Sequence, residues 1–371
     1  MLRVLLCSPY LSDADIVKGG INTWGRYIVS HFHGNSNENI ELVPISFDRR
    51  LAERSSASSI VRIIIGLQVY WKPIRRAWSY LRSRRFDVVH ICTSAGYGLF
   101  RDMLIVSVAQ KLGVKIVVHF HFGRIPELVI QNNWEWKLLR KLVSMSNVAV
   151  VMNRPSEWSL MNAGFTNIKY LSNPLGNDVL EKIEILKCKT KRVPRRILFV
   201  GHVIRTKGVY ELVEACSTIP NIELRIVGKC MPDVENDLKH LAEKRGDDSW
   251  LNITGEVEHD EVLMELLQAD MFVFPSYTEG FPNVILEAMG CCCPVISSGV
   301  GAIPEMLDID GVPCGVCFKP GDVDQVVEAV RSVIEDDDLK TKLISNAYNR
   351  LNSEYIMPKV WDGLVNIWKT A

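Results

Sequence analysis

The sequence predicts an α/β protein made of two doubly wound, parallel-sheet domains, and three observations carry that prediction. At 371 residues the chain is long enough for two or three domains of about 150 residues each. Short β-branched runs alternate with helical patterns: LRVLLCSP, ELVPISF, DVVHICT, KIVVHFH and VAVVMN in the first half, then RILFVG, IELRIVG, LNITG, MFVFPS and CPVISS in the second. These runs are continuously apolar, as strands covered on both faces must be. Between the two series, YLSNPLGNDVLEKIEILKCKTKRVPRR has turn residues at Asn173-Pro174 and Gly176-Asn177, then charge without a strong period, which reads as a linker. The expected boundaries are a first domain over 1–172, a linker over 173–194, a second domain over 195–355 and a last helix over 356–371. In that helix Val360, Leu364 and Trp368 form a stripe that must dock on something.

Composition removes several classes. Apolar residues make up 47% and charged residues 23%, so disorder, collagen-like repeats and coiled coils are excluded. Lys plus Arg and Asp plus Glu both total 43, and this neutrality argues against a nucleic-acid partner. The neutrality is an average: residues 1–180 hold 22 basic against 12 acidic residues, and 181–371 hold 21 against 31. The segment 49–86 carries ten cations and one acid, Glu53, interleaved with Ile, Trp and Tyr. It suits either an anionic membrane surface or a solvated helical pair.

The opening MLRVLLCSPY is too short in its apolar run for a signal-peptide core, and no stretch approaches a bilayer span. The expected location is therefore cytoplasmic, with peripheral membrane contact as the extension. Ten cysteines, three of them consecutive at Cys291, Cys292 and Cys293, suit buried thiols in a reducing compartment. Cys314 and Cys317 form a CxxC without two further ligands nearby, so packing is favoured over zinc.

In doubly wound domains ligands bind beyond the carboxyl ends of strands, so the loops there are where chemistry is sought. Four carry it. Lys18-Gly19-Gly20-Ile21-Asn22-Thr23-Trp24 follows the first strand and precedes a helix through Gly25 to Phe32; its glycines let backbone amides approach an anion, and a plain tight turn is the alternative. His119-Phe120-His121 ends KIVVHFH, and residues i and i+2 of a strand share a face, so both imidazoles look into one site, with His121 nearer the loop. A metal pair is the lesser reading, since no third ligand stands near them in sequence. Gly201-His202-Val203-Ile204-Arg205-Thr206-Lys207-Gly208 joins a strand to a helix and offers cations and helix-terminal amides to a pyrophosphate. In Pro275-Ser276-Tyr277-Thr278-Glu279-Gly280-Phe281-Pro282-Asn283-Val284-Ile285-Leu286-Glu287, a helix is expected to start near Asn283, with Glu287 one turn in and Glu279 in the loop before it. Both carboxylates are suited to accept hydrogen bonds from sugar hydroxyls.

The spacing of Glu279 and Glu287, followed by PVISSGVGAIPEML, resembles the donor-binding signature of the retaining GT-B glycosyltransferases of family GT4 (group 1). FVGHVIRTKGVYELVEA, KGGINTW, HFHFGR and LSNPLGND resemble further segments of that family, in the expected order over nearly the whole chain. The resemblance implies two Rossmann-like domains facing across a cleft, the first binding acceptor and the second a nucleotide-sugar, with the C-terminal helix crossing back onto the first. It implies that Glu287 holds the ribose hydroxyls, and that Glu279 with the backbone of Gly280, Phe281, Asn283 and Val284 holds the sugar. Arg205 and Lys207 would clamp the pyrophosphate, Gly19 and Gly20 would reach the phosphates, and His121, beside His119, would contact the sugar near the reacting carbon. His202 stands where the family usually has arginine, so His202 or Arg205 takes that place.

The implied activity is retaining transfer from a nucleotide-sugar, a UDP-sugar at family level, to a saccharide or lipid-linked saccharide in polysaccharide or glycolipid assembly. Catalytic roles fall to His121, Glu279 and Lys207, with no cofactor and no metal. The triplets Asp13/Asp15, Asp308/Asp310 and Asp322/Asp324 are read as incidental. A nucleotide-sugar epimerase and a non-catalytic nucleotide-sugar-binding protein remain the alternatives, whereas a dehydrogenase is disfavoured because no G-x-G-x-x-G follows the first strand.

Overall fold

Every apolar run read as a strand is one in the computed structural model, which describes residues 1–9, 20–34, 39–47, 59–243, 246 and 248–371, and within 59–70 the backbone alone. Lys18, Gly19, Asp13, Asp15 and the basic residues Arg49, Arg50 and Arg54 lie outside the described residues, as does the side chain of Arg62. The chain divides into one unit of residues 1–173 with 360–371 and another of 174–359.

The first unit runs β1 (Leu2–Ser8), α1 (Gly20–Gly34), β2 (Ile40–Ser46), α2 (Ser59–Ser83), β3 (Val88–Thr93), α3 (Gly98–Lys111), β4 (Lys115–Phe120), α4 (Ile125–Gln131), α5 (Trp134–Met145), β5 (Val148–Val151), α6 (Arg154–Asn162) and β6 (Ile168–Tyr170). All six strands are parallel, in the order β2-β1-β3-β4-β5-β6. The uniformly apolar strands place Leu5, Val89, Ile91, Val118 and Val151 in a core with Leu99, Ile105 and Leu139 of the helices. Burial of that kind is worth about 1.5–3 kcal/mol per large aliphatic side chain. Helix α1 begins at Gly20, so Ile21 to Trp24, expected in the loop before the helix, form its first turn. Trp24 is thereby turned inward and is 1% exposed.

The second unit runs α7 (Asn177–Lys187), β7 (Arg196–Val200), α8 (Val209–Cys216), β8 (Glu223–Val227), α9 (Pro232–Ala242), β9 (Leu251–Gly255), α10 (His259–Gln268), β10 (Met271–Phe274), α11 (Asn283–Gly290), β11 (Val295–Ser298), α12 (Ile303–Leu307), a small hairpin of β12 (Asp308–Ile309) and β13 (Val312–Pro313), then β14 (Val316–Phe318), α13 (Val323–Glu335) and α14 (Asp337–Arg350). Its sheet is parallel, in the order β14-β11-β10-β7-β8-β9. Read from the other edge, that is the 3-2-1-4-5-6 order of a dinucleotide-type fold, and the order reverses between β7 and β10. Residues 173–194, read as a linker, instead contain the helix α7, whose Val179 and Ile183 are i, i+4 partners and both buried.

The last helix, α15 (Met357–Thr370), continues from the second unit into the first, to which residues 360–371 belong. There Trp361 and Trp368 meet edge to face at 5.7 Å, and the Trp368 indole N–H donates to His90 Nδ1 at 2.9 Å. Among the described residues no helix is long and apolar enough to cross a membrane. All ten cysteines are free, Cys314 buried and Cys317 exposed.

Candidate functional site

The switch point between β7 and β10 brings together the two loops that the sequence singled out in the second half. Gly208 has φ +69° and its α-carbon lies against Pro275: a Cβ there would sit 2.1 Å from the Pro275 carbonyl oxygen. Only glycine permits that approach, and the Tyr277 amide donates to the Thr206 carbonyl at 3.0 Å, holding the loops side by side. Across this seam Lys207 Nζ donates to Glu279 Oε1 at 2.5 Å, with both side chains mostly shielded from solvent. The ammonium also lies 5.5 Å from the centre of the Phe274 ring. The glycine loop after β11 covers the other side. A Cβ on Gly301 would meet the Glu279 carbonyl at 2.2 Å, and the Ala302 amide donates to the Gly280 carbonyl at 3.1 Å.

Helix α11 starts at Asn283, with Pro282 ahead of it, so Glu287 stands one turn in as expected. Its Oε1 is 3.0 Å from His259 Nε2, on the first turn of α10. Residue His259 was not legible as functional: it lies 28 residues upstream and meets Glu287 only because α10 packs beside α11. The carboxylate raises the His259 pKa above its ordinary value, chiefly through this hydrogen bond. Because the folded value is raised, the pair stabilises the fold fully below the ordinary histidine pKa and loses that contribution as pH rises through the folded value. The thermal midpoint of the protein should therefore exceed that of a His259→Gln variant by more at about pH 6 than at about pH 8.5. An equal difference at both would show that the pair is not charged.

The remaining residues of these loops are placed less uniformly. Phe281 is buried with its ring 5.6 Å from Tyr355, so its side chain is core and its backbone alone faces the loop. Val284 and Asn283 are half-buried in the first turn of α11. His202 and Arg205 are exposed, and the Arg205 guanidinium lies 4.0 Å over the Tyr210 ring rather than on a carboxylate.

In the first unit, His119 and His121 do share a face, with ring centroids 4.0 Å apart. Burial holds His121 near pKa 3 and His119 well below the ordinary value, so both are neutral. Gly20 opens α1 with free space around its α-carbon. Here sequence spacing missed a third imidazole. His90 of β3 lies beside β4, its ring 5.5 Å from His119, and Cys92 pairs in register with His119.

Residues 184–350 match the family model described as glycosyl transferases group 1, and the second unit thus carries a domain of that family. CapM of Staphylococcus aureus, a capsular polysaccharide biosynthesis glycosyltransferase, is 25% identical over 183 residues, 46% of this chain and 45% of CapM. A 41.2 kDa protein from the cps region of Klebsiella pneumoniae is 25% identical over 333 residues, 86% of this chain and 88% of its own. The chain spans less than half the length of several curated relatives, CapM among them. The crystal structure of Anabaena Alr3699/HepE in complex with UDP and glucose superposes with TM-score 0.70 at 16% identity, covering 100% of both chains, so the fold is the GT-B glycosyltransferase fold.

Proposed function

We propose that the protein is a retaining, metal-independent glycosyltransferase that moves a sugar from a UDP-sugar to a saccharide or lipid-linked saccharide in polysaccharide or glycolipid assembly. The observation that carries this reading is the pair of partly buried carboxylates at the switch point, each hydrogen-bonded to a basic side chain: Glu279 to Lys207, and Glu287 to His259. Polar groups of this kind, shielded and pre-positioned by close glycine contacts, suit a ligand rich in hydroxyls and phosphate. The relatives named above are transferases of polysaccharide pathways where their function is named, and the HepE structure holds UDP.

In this reading Glu287 accepts from the ribose hydroxyls while His259 fixes its other side. Glu279 and the Gly280, Phe281, Asn283 and Val284 backbone hold the sugar, and Lys207, with Arg205 or His202, takes the diphosphate. Gly20 is assigned an amide contact to the phosphates, and His121 a contact to the sugar. Front-face attack, in which the departing phosphate helps to deprotonate the acceptor hydroxyl, retains configuration. The rate then comes from positioning and from charge stabilisation on the leaving diphosphate. Product analysis with UDP-, GDP- and ADP-sugars tests it. Release of nucleoside diphosphate together with a glycosylated acceptor whose anomeric configuration matches the donor is expected, and an epimerised nucleotide-sugar formed from donor alone would overturn it.

The lipid-linked acceptor is favoured by α2. Lys72, Arg75, Arg76 and Arg82 are exposed on it and have no carboxylate partner among the described residues. Each cation near an anionic surface is worth about 1 kcal/mol. Sedimentation with phosphatidylglycerol vesicles should bind the protein and release it at high salt, and exchange of Arg75 and Arg76 for glutamate should weaken binding. Salt-insensitive binding, unchanged by those exchanges, would remove the membrane from the account.

A further inference from the structure

Three imidazoles and two indoles in the first unit form a buried polar cluster that the proposed transfer leaves largely unused. His90, Cys92 and His119 place ligand-type atoms within 4.8 Å of one another. Two imidazoles and a thiol suit a soft metal ion, but one contact argues against it. Indole nitrogen is a donor only, so the hydrogen bond from Trp368 to His90 Nδ1 puts the His90 lone pair on Nδ1 and its proton on Nε2. A neutral imidazole in that tautomer has no lone pair left for a metal.

The same contact gives the cluster a direction. His90 Nε2 and both ring nitrogens of His119 and His121 are buried without hydrogen-bond partners. All three rings are held neutral by burial, so each has one donor and one acceptor. Small ring rotations can pair them head to tail. Because His90 Nδ1 already accepts from Trp368, His90 has only its Nε2–H to offer His119, whose ring lies 5.5 Å away. His119 then offers its N–H to His121, and the N–H of His121 is left for a ligand. Trp24 forms a common wall for the three rings, stacked on His90 at 5.6 Å and lying 4.9 Å and 4.8 Å from His119 and His121. An indole in that place limits each imidazole to rotation within its slot.

We infer that Trp368 is a positioning residue whose indole N–H sets the tautomer order of His90, His119 and His121, so that His121 presents an N–H donor to a sugar hydroxyl oxygen. The inference rests on the proposed placing of His121 at the sugar, and its test separates the two.

Nitrogen NMR of the 15N-histidine-labelled protein, assigned with His90→Gln, His119→Gln and His121→Gln, should find His90 neutral with its proton on Nε2 from about pH 5 to about pH 8. Trp368→Phe keeps the ring and removes the donor. It should populate the second tautomer of His90, shift the tautomer balance of His121, and lower kcat about tenfold while UDP affinity is unchanged. A proton on His90 Nδ1 in the unaltered protein would overturn the inference without any variant. So would a Trp368→Phe protein with His121 tautomers or kcat unchanged. If the unaltered protein transfers no sugar, the proposed function fails, and the tautomer measurement still decides the order of the imidazoles.

Discussion

Replacing Lys207 by alanine is expected to lower kcat by about 10²–10³. The ammonium sits in a seam between two loops, mostly shielded from water, where a developing negative charge on a leaving diphosphate gains more from a fixed cation than it does in solvent. Its partner Glu279 is also mostly shielded, so the exchange removes the cation and strands a carboxylate in the proposed sugar subsite. Steady-state release of nucleoside diphosphate measures the effect. Lys207→Arg separates the two contributions: it restores the ion pair but carries a broader, planar donor on a longer reach, and should recover stability before it recovers rate. A Lys207→Ala enzyme with unaltered kcat would remove Lys207 from the reaction.

Glu287→Ala is expected to weaken UDP binding by about 10–100-fold, the loss of one or two hydrogen bonds to a charged acceptor. Glu287 lies on a helix rather than a loop, so its carboxylate is held by α11 and by His259 before any nucleotide arrives. Pre-positioning of this kind lowers the ordering cost of binding, and loss of the carboxylate therefore appears in affinity. Glu287→Gln keeps the size and one acceptor and should fall between the two.

Much of the sheet architecture was legible because parallel strands buried on both faces are continuously apolar, as in DVVHICT and KIVVHFH. The short edge strands β6 and β14 were missed: three residues give no period to read, and their pairing partners are distant in sequence. Helix α7 was hidden by its charged face, with only Val179 and Ile183 to mark the buried one. In the candidate site, the glycines and carboxylates that touch within a loop or one helical turn were visible as spacing. His259 and His90 were not, because each meets its partner through helix packing or strand register 28 or 29 residues away. The start of α1 at Gly20 was missed for a different reason: a glycine pair reads as a turn, yet one of them opens a helix whose first turn buries Trp24.

The proposed function requires the switch point of the second unit to bind a nucleoside diphosphate through Lys207 and Glu287. Calorimetric titration with UDP, in the presence of a chelator, tests it most directly. Saturable binding to the unaltered protein, unaffected by the chelator and weakened by both Lys207→Ala and Glu287→Ala, is expected. Binding that needs a divalent cation, or that survives both exchanges intact, would contradict it.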